Sequence, residues 1–146
     1  MKDYLLLWAE DLSKARSLTL KSKITVVGER NQHLGPRMEF ARVQVSAEPA
    51  PNFEVIDCVP ANEEARKHGF LDWAVFGLLD VLLVTESYPL KDIRVTLERI
   101  ELSAIDSSQM AFRNAGRDAG RQIIEALRQS RWDLTKGETE AGSRGR

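Results

Sequence analysis

The sequence predicts an α+β fold: a two-layer sandwich in which a four-stranded, mostly antiparallel sheet carries two helices on one face. Three observations lead there. Residues 24–59 hold three short β-like segments separated by Gly, Pro and Asn punctuation. Residues 62–86 and 107–132 carry apolar side chains at spacings of three and four. Between those helical segments, residues 92–102 return to strand-like alternation. Length fits one core: 146 residues are divided into an extension over 1–20, a domain over 21–132, and a polar tail over 133–146 expected to be disordered.

The first strand is "ITVV" at 24–27, closed by Gly28, and "ERNQHLGPR" reads as a loop with Gly35-Pro36 as its turn. "MEFARVQVSA" alternates imperfectly, as a half-buried antiparallel strand does, and "EPAPN" breaks it because proline cannot donate to a ladder. "FEVIDCV" is a short third strand, in which Cys58 reads as a buried small hydrophobe. The helix over 62–86 places Leu71, Ala74, Val75, Leu78 and Leu82 on one face. Its opposite face is also apolar, with Trp73, Phe76 and Val84 around Asp80, so a second layer is expected against it. "YLLLW" at 4–8 or a partner subunit would supply that layer. Pro89 ends the segment. In "DIRVTLERIEL", Ile93, Val95 and Leu97 alternate with Arg94 and Thr96. Phe112, Ala115, Ala119, Ile123 and Leu127 form the buried stripe of the last helix.

Composition excludes several function classes. A net charge of -1 is not that of a strongly basic nucleic-acid coat, although charge can still cluster locally. A single cysteine rules out an internal disulfide framework, and two histidines give no ordinary zinc set, so no metal or other cofactor is expected. The longest apolar run, 70–84, is too short for a membrane span and is interrupted by Asp72 and Asp80. With no signal-peptide core at the N-terminus, a cytoplasmic protein is expected.

"AIDSSQMAFRNAG" is the most motif-like stretch. A helix start leaves four N–H groups unpaired, and Asp106, Ser107 or Ser108 can each cap them; Gln109 lies three residues after Asp106, as in a capping box. A catalytic serine needs a positioned base and an oxyanion site, and no histidine lies close in sequence. Capping is the preferred reading.

"IDSSQMAFRNAGRDAGRQIIEAL" also resembles the C-terminal helix of elongation factor G domain IV, which an Asp-Ser-Ser-Glu-Met-Ala-Phe run opens. "DIRVTL" resembles the family's preceding strand at its usual interval, and "FEVID" and "RMEFARVQVSAEP" resemble two further strands. The likeness covers about residues 24–129 and is strongest over 92–126. It implies the ribosomal protein S5 domain 2-like sandwich, with a left-handed βαβ crossover where right-handed ones are the default. It also implies ribosome or RNA contacts at two tip loops, carried here by Arg30, His33, Arg37 and Arg42 in the first and Arg66, Lys67 and His68 in the second. This chain departs from the family at the tip. Met38, Glu39, Phe40, Ala41 and Arg42 stand where the family has Gly-Gln-Tyr-Gly-His, so both glycines are gone, while Arg37 keeps the preceding arginine. No G-x-x-x-x-G-K-[ST] loop is present, so no nucleotide is expected.

Two functions follow as expectations: a non-catalytic domain that binds ribosome or RNA through its tips, or an interaction module, with a homodimer through Trp73 and Phe76 as one version. An enzyme is disfavoured. Its nearest candidates, Asp57 with Cys58 and Glu63 with Glu64, have nothing in the sequence to bring them together. Arg113, Arg117 and Arg121, four apart, share one helix face and are joined by Arg128; they read as a solvated face partly neutralised by Asp118 and Glu125.

Overall fold

The computed structural model describes residues 1–14, 20–84 and 92–143, with side chains described at 1–11, 14, 20–33, 35–84 and 92–129. The expected helix end at 85–86 and its Pro89 stop lie outside these, as do 15–19 of the extension and 144–146 of the tail.

Among the described residues eight elements follow one another: α1 (Tyr4–Lys14), β1 (Ile24–Leu34), β2 (Arg37–Pro49), β3 (Glu54–Asp57), α2 (Glu63–Lys67), α3 (Phe70–Leu82), β4 (Ile93–Leu102) and α4 (Gln109–Ser143). The strands form one four-stranded sheet in the order β1-β2-β4-β3. β1–β2 and β2–β4 are antiparallel and β3–β4 is parallel, so the sheet is mostly antiparallel, as expected.

The segment "ERNQHLGPR" is not an open loop. β1 continues through it to Leu34, opposite Arg37, and Gly35 takes a left-handed φ of 63° in the two-residue turn. Polar residues with no apolar alternation concealed this strand, because both faces of the hairpin's outer half meet solvent. The helix expected over 62–86 is broken in two. Asn62 caps α2 by accepting the Ala65 N–H at 3.1 Å, and Gly69, at φ 71°, turns the chain before α3. α4 runs on to Ser143 instead of ending near residue 132. Extending an existing helix needs no new nucleus, and no proline interrupts 109–143.

The core lies between the sheet and the α3–α4 pair. Val43, Val45 and Ala47 of β2, Ile93, Val95 and Leu97 of β4, Leu78 and Leu82 of α3, and the predicted α4 stripe are all buried. The backbones approach unusually closely. A Cβ on Gly77 would stand 2.0 Å from the Arg113 carbonyl oxygen, and one on Gly116 2.1 Å from that of Ala74. On the other side of α4, a Cβ on Gly28 would meet the Ala115 carbonyl oxygen at 2.1 Å. Only hydrogen fits at these crossings.

α4 also covers the open edge of β1. Asp118 Oδ2 accepts the Glu29 N–H at 2.9 Å, and Gln122 Nε2 donates to the Val27 carbonyl at 2.7 Å. These bonds occupy edge groups that would otherwise be free to pair with another strand. In β4 the alternation slips once. Gln44 faces Arg99 but Val45 faces Leu97, which leaves Glu98 as an extra residue in a bulge. Leu97 and Ile100 both contact the core in consequence, while Arg99 and Glu101 are exposed.

Two further expectations are corrected. Tyr4, Leu5, Leu6, Leu7 and Trp8 are 46–78% exposed, so "YLLLW" does not clasp α3. α1 forms locally, with Asp3 Oδ1 accepting the Leu5 and Leu6 N–H groups at 3.1 Å. Cys58 is exposed, not buried: it lies just past β3, where its N–H still donates to the Leu97 carbonyl but its thiol points away from the core.

Candidate functional site

Sheet polarity gathers the distinctive parts at one end. β1 ends and β2 begins at the hairpin turn, β4 ends opposite Ala41 of β2, and parallel β3 ends on the same side. α3 and α4 both begin there. The "DSSQ" stretch ties this end together. Ser108 is the cap of α4, its Oγ accepting the Ala111 N–H at 3.0 Å. Ser107 Oγ donates to the Phe40 carbonyl at 2.7 Å and accepts the Ser103 N–H at 2.8 Å, while the Phe40 N–H donates to the Asp106 carbonyl. Gln109 does not close a capping box; its Nε2 donates to the His68 carbonyl at 3.0 Å and so joins α4 to the α2–α3 corner.

A cleft of about 400 Å³ opens between that corner and the β4–α4 loop, lined among others by Lys67, His68, Ser103, Ser107 and Gln109. Here the fold unites what sequence distance separated: a histidine, paired with Glu64 at 3.5 Å, and three serines. The serines are engaged elsewhere in the scaffold. The Ser107 proton goes to a backbone carbonyl, Ser108 is the helix cap, and no described hydrogen bond links His68 to a serine hydroxyl.

The predicted contact residues divide sharply. His33 and Arg37 are exposed at the hairpin end, and Lys67 is exposed in α2; none of these three forms an ion pair among the described residues. Arg30 lies within β1, its Nε 2.9 Å from Glu39. Arg42 lies within β2 on the sheet's open face, held by Glu29 at 2.9 Å and Glu101 at 2.6 Å. The Glu29 hydrogen bond, followed by the field of Glu101, raises its pKa further above the usual arginine value. Arg66 bonds Asp57 at 2.9 Å. Partial burial alone would raise the Asp57 pKa, but the Val59 N–H and Arg66 together hold it below the ordinary value. Arg30 and Arg42 therefore belong to strands and carboxylate pairs, not to a loop; the ladder continues where a loop was expected.

Of the arginines of α4, Arg121 and Arg128 are exposed as expected, but Arg113 and Arg117 do not belong to a solvated row. Arg113 clamps Asp80 of α3 through Nε at 2.7 Å and Nη2 at 2.9 Å, and Arg117 Nε adds a third bond at 2.9 Å. The Arg113 hydrogen bond is the main cause of an Asp80 pKa lowered to about 2; the Arg117 bond adds to it against partial burial. Arg113 also lies 5.6 Å from the ring centre of Trp73 and 6.0 Å from that of Phe76, so both predicted interface residues partly carry a guanidinium. Trp73 is half-buried and Phe76 exposed. The missed signal was Asp80, the acid in the middle of the apolar segment, facing two arginines four residues apart.

Among the described residues no cluster of His, Cys, Asp and Glu could hold a metal, and no helix is long and apolar enough to cross a membrane.

Comparison with known proteins agrees with this geometry. Residues 84–128, which include β4 and the first part of α4, match the family model of elongation factor G, domain IV. Among solved structures, a protein from Thermus thermophilus superposes with a TM-score of 0.62 at 17% identity, over 71% of this chain. At that identity the likeness is one of fold. The chain spans only 16% of that structure's length.

Proposed function

We propose that this chain is a non-catalytic, elongation factor G domain IV-like module that binds structured RNA or the ribosome through the end of the sheet where the hairpin, α2 and the β4–α4 loop converge. One observation carries the reading: His33 and Arg37 of the hairpin and Lys67 of α2 are uncommitted among the described residues at the same end of the fold. Uncommitted cationic and hydrogen-bonding side chains reach phosphates without breaking an existing ion pair. Arg30, Arg42 and Arg66 would each have to give up a carboxylate, so they serve the interface by stiffening it.

Co-sedimentation with ribosomes, and titration with structured RNA, test this. Binding is expected at low salt, falling steeply as salt rises. Arg37→Ala with Lys67→Ala should weaken it and lower the salt slope by about two charges. No association at low salt would overturn the proposal.

A second reading is favoured by the exposed apolar side chains Tyr4–Trp8 of α1 and, on α3, Phe76, since exposed apolar groups are candidates for a partner surface. In that reading the chain is an interaction module that self-associates. Light scattering should then report a dimer that Trp73→Glu dissociates, and a monomer at high concentration would exclude it.

A further inference from the structure

Three rings lead from the core to the surface at the cleft. Phe112, fully buried, stacks on Phe70 at 4.7 Å with the planes 17° apart, and Phe70, 6% exposed, stacks on His68 at 5.3 Å and 25°. The last ring is half open, with 51% of its side-chain surface accessible. An exposed histidine ordinarily samples several rotamers. Here Phe70 lies beneath the ring, Glu64 Oε2 stands 3.5 Å from its Nε2, and Gln109 anchors the backbone that carries it. The stack therefore ends on a ring that is backed by Phe70 on one side and accessible to solvent.

We propose that His68 is a stacking platform for an unpaired nucleobase, which continues the Phe112–Phe70–His68 column while Lys67 takes a neighbouring phosphate. The inference rests on the RNA-binding reading above and narrows it to single-stranded segments such as loops, bulges or ends. Bases in a duplex are already stacked and leave no free face, whereas a splayed base places its ring on an aromatic side chain at little entropic cost when that side chain is held in advance. The cleft beside the ring, about 400 Å³, has room for the rest of a nucleotide. Glu64 acts through His68 as a positioning residue: it holds the ring.

The test uses the full chain and an unstructured RNA decamer bearing one 2-aminopurine, with a duplex of the same length as comparator. Stacking should quench the 2-aminopurine on binding. His68→Ala should weaken decamer binding about tenfold and abolish the quench, consistent with one lost base–aromatic contact. His68→Phe should restore both, and duplex affinity should be the same in all three proteins. If His68→Ala binds and quenches the decamer as the parent does, the platform is overturned while RNA binding stands. If the parent binds neither RNA at low salt, both the platform and the RNA reading fall.

Discussion

The α3–α4–β1 junction and the hairpin end of the sheet solve opposite problems with similar residue types. At the junction the polar groups are answered: Asp80 by two arginines, the edge N–H of Glu29 by Asp118, the Val27 carbonyl by Gln122. Backbones touch there at Gly28, Gly77 and Gly116. At the hairpin end, His33, Arg37 and Lys67 stand without acids among the described residues, and the His68 ring stands without a lid. Charge is structural where it is paired and available where it is not, so counting arginines in the sequence says little about which are for binding.

Substitutions at the two regions should differ in kind. The largest effect is expected from Gly77→Ala, whose new methyl meets the Arg113 carbonyl, a backbone atom that cannot turn aside. Forcing the helices apart should cost about 3 kcal/mol in denaturant unfolding, the upper end for overpacking. A loss below about 0.5 kcal/mol would show that the junction yields and would remove half of the contrast.

Next comes Asp80. Its carboxyl titrates at about 2 in the fold against 3.8 in an unperturbed chain. The ion fork thus stabilises the native state fully above pH 4, and the contribution disappears as pH falls from about 4 to 2. Discounted for the fork's 29% exposure, this is about 1–2 kcal/mol. Asp80→Asn should flatten that segment of the stability–pH curve and lose a similar amount at pH 7.

The smallest effect is expected from Arg37→Ala at the hairpin end, which should change stability by under about 0.5 kcal/mol while weakening RNA binding. A stability loss as large as that of Asp80→Asn would make Arg37 structural and erase the distinction between the regions.

How much could be read in advance follows the same division. The stripe of Phe112, Ala115, Ala119, Ile123 and Leu127 and the alternation of Ile93, Val95 and Leu97 were legible because burial on one face imposes a period. The outer half of the hairpin was not, since Glu29 to His33 face solvent and leave no apolar signature. The break at Gly69 was hidden inside an unbroken helical pattern, and depends on one left-handed backbone angle. The Asp80 fork required knowing that α3 and α4 are neighbours. At the site, Lys67 and His68 were singled out only through the resemblance, which implies a second tip loop there, since their own pattern reads as helix. Nothing in the order of residues placed them beside Ser103 and Ser107, because that juxtaposition is made by the parallel pairing of β3 with β4.

The bulge at Glu98 sets the two halves of β4 in opposite phase. Up to Leu97 the odd-numbered residues face the core, and from Ile100 the even-numbered ones do. Deleting Glu98 would therefore close the ladder into plain alternation, with Leu97 and Ile100 still facing the core and Arg99 and Glu101 still on the open face beside Arg42. The extra residue thus adds one outward side chain to the strand without disturbing its inward set, and Glu98 uses that place to accept from Gln44 Nε2 at 2.9 Å.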